Sequence, residues 1–229
     1  MTGFPNQRPP TGSSSIDAIG PDDPEALVQL AKRLAREAGM LALSGRRVSV
    51  LERITKSSTT DLVTQHDRAA ESLIVERLGA ERPADAIVGE EGAALDGTSG
   101  YSWFLDPIDG TTNFVYDLPA WSTSVAVAYR GITIAGAVYV PVADELFAAR
   151  LGAGATLDDR PIRNSGETNL SLALVATGFS YLPANRAAQA AAIARMITEI
   201  RVLGRERLGA LPISAWLGGA RRPGRRTED

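Results

Sequence analysis

Residues Asp106-Pro107-Ile108-Asp109-Gly110-Thr111-Thr112-Asn113-Phe114 place two carboxylates three positions apart around a proline and follow them at once with Gly-Thr-Thr. Few chains can accommodate such a run. Tyr101 to Leu105 before it reads as a buried strand, so the acids sit at a strand end. Clustered carboxylates repel and raise one another's pKa unless a positive charge intervenes. Carboxylate oxygens suit Mg²⁺, and the backbone N–H groups of a tight turn suit phosphate oxygens. One short stretch therefore reads as a cation-and-phosphate site.

The elements around it follow from periodicity. A helix is predicted from Asp23-Pro24, with Asp23 as cap and Pro24 in the first turn. Leu27, Leu30, Ala31, Leu34, Ala38 and Leu41 recur at helical spacing, and Gly45 is expected to end it. A second helix spans roughly Gln65 to Leu78. The period then changes. Ala86 to Val88, Ser122 to Tyr129, Ile132 to Val140, Glu145 to Leu151 and Leu172 to Ala176 read as strands, with Arg130-Gly131 as a hairpin turn. Ala184 to Ile200 reads as an alanine-rich helix. Residues 1–22, rich in Pro, Gly and Ser, read as a disordered tail. Residues 205–229 carry six arginines among glycines and prolines without periodicity, and read as a poorly ordered end.

Composition removes several function classes. The chain has no cysteine and a single histidine, His66, which is a poor zinc set and a good magnesium set. A net charge of −3 over 229 residues argues against binding nucleic acid through overall charge, and the arginines of the last stretch attract polyanions without specificity. No apolar run reaches membrane-spanning length, and the N-terminus lacks the regions of a signal peptide, so the expected setting is cytoplasmic with no membrane partner.

Two further segments belong with the Asp106 run. One is Lys56 to Thr64, containing Asp61-Leu62-Val63-Thr64 and continuing into Gln65-His66-Asp67. The other is Val88-Gly89-Glu90-Glu91-Gly92 at the exit of a strand. Loops at strand exits converge beside a rigid sheet. Taken in this order, the three segments resemble the inositol monophosphatase family of Mg²⁺-dependent, lithium-sensitive phosphatases. The resemblance runs from about residue 25 to about residue 204 and includes Leu151-Gly152-Ala153-Gly154-Ala155, similar to that family's glycine-rich stretch before a small hairpin.

The resemblance implies a layered α/β fold, an alternating α-β-α-β-α sandwich of the sugar-phosphatase type, over residues 23–204, and a homodimer. It implies that Glu90, Asp106 and the carbonyl of Ile108 hold a first Mg²⁺, and that Asp106 bridges to a second, which Asp109 also holds. Asp61 and Thr111 would orient and deprotonate the attacking water, and the N–H groups of Gly110 and Thr111, with Asp109 beside them, would bind the substrate. Thr112 and Asn113 would serve loop geometry, and Glu91 is a second-choice ligand. His66 is expected at the surface or behind the site, with Trp103 and Trp121 in the core. The implied substrate is a small phosphate ester, foremost myo-inositol 1-phosphate. Histidinol phosphate, fructose 1,6-bisphosphate and 3′-phosphoadenosine phosphate are the alternatives.

The resemblance breaks after Arg201-Val202-Leu203-Gly204. The family continues with a Ser-Ala-rich helix and later a Trp-Asp pair whose aspartate holds the second metal. Here Arg205-Glu206-Arg207 follows, and Trp216 precedes Leu217. The expectation is a domain incomplete at its C-terminal end, with a weakened second metal site, an unpaired sheet edge and uncovered apolar surface. A catalytically impaired family remnant is the rival reading.

Overall fold

The structure is a computed structural model that describes residues 20–48, 54–55, 62–63, 65–176, 178–180 and 182–204. Asp61, Lys56, and the segments 1–19 and 205–229 lie outside the described residues, and with them the expectations placed there.

The chain begins with a long helix, α1 (Pro24–Val48), entered as anticipated: Asp23 Oδ1 accepts the amide of Glu25 at 3.0 Å. Leu27, Val28, Ala31, Leu34, Ala35, Ala38 and Ala42 are buried along it. Gly45 does not end this helix. The ring of His66 fills the space where a Cβ would stand, 2.5 Å from Nδ1, so the glycine serves packing and the helix runs on. Two short strands, β1 (Ile54–Thr55) and β2 (Leu62–Val63), pair antiparallel before α2 (Gln65–Glu81).

The main sheet has eight strands. They are β3 (Ala86–Gly89), β4 (Ala94–Leu95), β5 (Tyr101–Asp109), β6 (Ser122–Tyr129), β7 (Ile132–Val140), β8 (Glu145–Arg150), β9 (Gly154–Leu157) and β10 (Arg160–Ile162), with α3 (Thr111–Val115) between β5 and β6. Their spatial order is β10-β9-β8-β7-β6-β5-β3-β4, and only β3 and β5 pair in parallel. The predicted hairpin turn has both Arg130 and Gly131 at positive φ, the pattern that a two-residue turn between twisted strands requires. The helix α1 lies across β5 to β8 and beside α2. The core between them includes Leu34, Ile74, Leu78, Trp103, Val125, Val127, Ile134 and Tyr139. Trp103 and Trp121 are fully buried, as expected.

Beyond the main sheet, β11 (Leu174–Ala176) and β12 (Val202–Gly204) pair in parallel around α4 (Pro183–Met196). No residue of α4 is buried, and Phe179, Leu182 and Ile197 are exposed. No helix among the described residues is long and apolar enough to cross a membrane.

One buried carboxylate fixes the end of the sheet away from the acidic run. Asp85 Oδ2 accepts from Trp103 Nε1 at 2.8 Å and from Arg82 Nε at 2.7 Å, while its Oδ1 accepts from Ser99 Oγ at 2.7 Å. Arg82 also reaches Asp22 Oδ2 at 2.6 Å, and the Asp22 amide donates to the Tyr101 hydroxyl at 2.9 Å, so the chain just ahead of α1 is tied to the sheet.

Candidate active site

The strand β5 carries the acidic run, and its alternation explains the placement. Tyr101, Trp103 and Leu105 are buried in the core with α1 and α2, so Ser102, Phe104 and Asp106 face the other side. Uninterrupted, a period of two would send Asp106 and Asp109 to opposite faces. The register shows an interruption: Asp106 stands opposite Ser124 and Asp109 opposite Ser122, three residues on β5 against two on β6. This is a bulge, and Pro107 lies in it. A proline has no N–H for the ladder and is tolerated inside a sheet where pairing breaks. Thr123 Oγ1 donates to the Pro107 carbonyl at 2.7 Å in a buried position, satisfying the acceptor that the bulge sets aside. Cross-strand partners share a face, so Asp106 and Asp109 share one.

Glu90 joins them from the parallel neighbour. Gly89 pairs with Leu105, and the Glu90 amide donates to the Leu105 carbonyl at 3.1 Å, which sets Glu90 beside Asp106. Adjacent strands are roughly 5 Å apart. Burial, and then the negative charge of Glu90, push the Asp109 carboxyl up to about 7. Glu90, Asp106 and Asp109 thus form one acidic group at the ends of two neighbouring strands.

The turn that follows is shaped by Gly110, whose φ of +89 is left-handed and whose Cβ, if present, would lie 3.1 Å from the Ala120 carbonyl. Glycine alone adopts this conformation without strain and leaves that space. It opens α3, whose start no side chain caps. Thr111 Oγ1 lies 3.0 Å from the Ile108 carbonyl and 3.4 Å from Asp67 Oδ1. Asn113 has a structural part: its Nδ2 donates to the Ala120 carbonyl at 2.6 Å and staples the turn to the entry of β6.

A small second core supports this turn. Ile108, Phe114, Trp121 and Ala42 pack together, with the Phe114 and Trp121 rings nearly perpendicular at 4.8 Å. The Arg46 guanidinium sits 5.0 Å over the Phe114 ring and 2.7 Å from Asp117. His66 completes the packing at 5.8 Å from Phe114 and is buried, so of the two positions expected of it, it takes the one behind the site and not the surface. Burial lowers its pKa, which favours the neutral ring.

Sequence reasoning gave no role to Asp67 or Glu71. Both are buried on α2 along the stripe continued by Ala70, Ile74 and Leu78. Two acids on the apolar stripe of a helix were the available signal, since an unpaired buried carboxylate is costly. Asp67 faces Thr111, and Glu71 accepts the amides of Glu91 and Ala93, each at 2.9 Å.

As a cation site, the donor chemistry fits a hard divalent ion: carboxylates of Glu90, Asp106 and Asp109 and the carbonyl of Ile108. A carboxyl held near pKa 7 by burial and a like charge is one that a cation would relieve. Among the described residues alone, no three acidic or histidine side chains converge closely enough to hold an ion by themselves.

The inositol monophosphatase family model matches residues 23–212, most of the chain. This chain belongs to the inositol monophosphatase family. It is 41% identical to the inositol-1-monophosphatase of Mycobacterium leprae, over 84% of this chain and 72% of the relative. It is 40% identical to the Nus factor SuhB of Pseudomonas aeruginosa, over 69% of this chain and 59% of that protein's length. Its fold is similar to that of the extragenic suppressor protein SuhB from Bartonella henselae, with a TM-score of 0.74 and 31% identity over 80% of this chain and 70% of that one. The inositol monophosphatase of Thermotoga maritima gives a TM-score of 0.71 at 31% identity, over 85% of this chain and 73% of that one. The mixed α/β architecture and the phosphatase class expected from the sequence therefore stand as those of an inositol monophosphatase family member.

Proposed function

We propose that this chain is a Mg²⁺-dependent phosphomonoesterase that hydrolyses myo-inositol 1-phosphate, or a similar small phosphate ester, to the alcohol and inorganic phosphate. The observation that carries the reading is the shared face of Glu90, Asp106 and Asp109, created by the bulge at Pro107 and the parallel pairing of β3 with β5.

In this reading Glu90, Asp106 and the Ile108 carbonyl hold one ion, and Asp106 and Asp109 a second. Bound Mg²⁺ would offset the repulsion between a phosphate dianion and its nucleophile, lower the pKa of a coordinated water and stabilise the leaving alkoxide. Thr111 and Asp61 would orient that water and take its proton. The Thr111 hydroxyl is already aimed at the Ile108 carbonyl, on the site's edge. The amides of Gly110 and Thr111 would receive phosphate oxygens, where the left-handed Gly110 exposes the start of α3. The protein's own contribution is positioning. Homodimeric assembly and a cytoplasmic setting belong to the same proposal.

The test is phosphate release by the purified chain from myo-inositol 1-phosphate, histidinol phosphate, fructose 1,6-bisphosphate and 3′-phosphoadenosine phosphate, with Mg²⁺ and with a chelator. Turnover of the inositol ester that requires Mg²⁺ is the expected result. No turnover of any ester at saturating Mg²⁺ would leave the impaired remnant, the reading favoured by Leu217 where the family places an aspartate after tryptophan.

A further inference from the structure

The turn that presents Glu90 is held by a side chain from a different element. Glu71, on α2 and only 7% exposed, uses both carboxylate oxygens on this turn. Its Oε2 accepts the Glu91 amide and its Oε1 the Ala93 amide, each at 2.9 Å. Where the β3–β4 ladder stops, the Gly89 amide donates to the Ala93 carbonyl at 2.6 Å. The two donors beyond that point belong to Glu71. Bonds from backbone amides to an ionised carboxylate are shorter and stronger than neutral ones.

Gly89 is shaped by the same contact. It pairs with Leu105, which faces the helices, so its missing side chain would point at α2. A Cβ there would lie 2.1 Å from Glu71 Oε2 and 2.5 Å from Cδ. Its backbone is not in the left-handed region, so space and not conformation calls for glycine. The run Gly89-Glu90-Glu91 then divides its work. Gly89 makes room for Glu71, Glu90 turns its carboxylate to the opposite face beside Asp106, and Glu91 offers an amide to Glu71.

A buried acid is an expensive choice for a position on an apolar stripe. What it secures is the direction of Glu90. We propose that Glu71 is a positioning residue that fixes the 90–93 turn and thereby sets the affinity of the Glu90–Asp106 cation site, without touching substrate or the reacting atoms. The proposal rests on the reading of Glu90 as a cation ligand given above.

The experiment compares Glu71→Gln, Gly89→Ala and Glu90→Gln with the parent chain. Mg²⁺ affinity is measured by calorimetry, amide exchange at Glu91 and Ala93 by NMR, and kcat at saturating Mg²⁺. Glutamine keeps the shape but sets an NH₂ against one amide, and an alanine at 89 pushes the Glu71 carboxylate aside. Both variants should lose exchange protection at Glu91 and Ala93 and weaken Mg²⁺ binding about tenfold, the usual effect of losing a group that orients a ligand. Their kcat at saturating Mg²⁺ should stay within about twofold of the parent. Parent-like Mg²⁺ affinity in Glu71→Gln, with Glu90→Gln weakened, overturns the proposal and leaves the reading of Glu90 standing. Unchanged affinity in Glu90→Gln overturns that reading and with it the purpose assigned to Glu71. A large fall in kcat at saturating Mg²⁺ without loss of affinity also overturns the proposal.

Discussion

Asp106 and Asp109 are three residues apart on one strand yet face the same side of the sheet, because β5 spends three residues where β6 spends two. The bulge is therefore part of the site. A buried side chain supports it: the Thr123 hydroxyl donates to the Pro107 carbonyl at 2.7 Å. Thr123→Val keeps the shape and removes the donor, leaving a buried carbonyl unsatisfied. The expected cost is about 1–2 kcal/mol in denaturant unfolding. Mg²⁺ affinity should fall with it, as Asp109 loses its fixed distance from Asp106. A variant with parent stability and parent Mg²⁺ binding would show that Pro107 alone sets the bulge.

Asp109 gives a pH dependence with a definite sign. Its carboxyl is raised from an ordinary 3.8 to about 7, by burial first and the Glu90 charge second. Between those values the folded chain holds a proton that the unfolded chain has lost. Stability of the metal-free protein should then fall as pH rises through this window and level off above it. Asp109→Asn should remove that part of the slope, and Mg²⁺ added on the alkaline side should restore stability to the parent. Thermal melting in a chelator across the window measures this. An Asp109→Asn variant with the parent's slope would show that Asp109 is ionised throughout.

Much of this site was legible before any fold was known, and the reason is local. The motif around Asp106 is contiguous, and strong periodicity places β6, β7 and α2 within a few residues of their observed ends. What could not be read came from distant contacts. Gly45 carries the mark of a helix stop, yet α1 continues through it, and the glycine is there because His66 fills the space a Cβ would take. Asp106 to Asp109 looks like loop, and is strand, because only the register against Ser122 and Ser124 reveals the bulge. Asp67 and Glu71 stand on the apolar stripe of α2, which marks them as buried, but which turns they serve shows only once α2 is docked. Sequence spacing reports one element at a time, and these residues act between elements.

Asp85 should dominate the acid limb of stability. Burial works to raise its pKa, but hydrogen bonds from Arg82, Ser99 and Trp103 outweigh that and hold it below the ordinary carboxylate range. The stabilisation is present above the unfolded pKa and is lost as pH falls through the folded one. Asp85→Ala leaves the Trp103 indole N–H unsatisfied in the core and Arg82 with Asp22 alone, for an expected loss of roughly 2–4 kcal/mol. Asp85→Asn should cost less and flatten the acid limb. Urea unfolding at neutral and acid pH separates the two effects. A flat response to Asp85→Ala would mean that water replaces the carboxylate.

Asp106 is the residue on which the catalytic reading turns. It lies between Glu90 on the parallel neighbour and Asp109 across the bulge, the position from which the proposed reading has it bridge two ions. Asp106→Asn keeps the size, replaces one acceptor oxygen by an NH₂ and removes one negative charge where a cation would bridge. Since the hydrolysis needs an activated water and a neutralised phosphate together, losing the bridging charge should lower turnover well beyond about tenfold, and raising Mg²⁺ should not recover it. The melting temperature without metal should hold or rise, because the variant relieves repulsion among clustered acids. Retention of even a tenth of the parent's kcat, measured as phosphate release from the same ester, would move the bridging role away from Asp106 and require the two ions to be held by other residues.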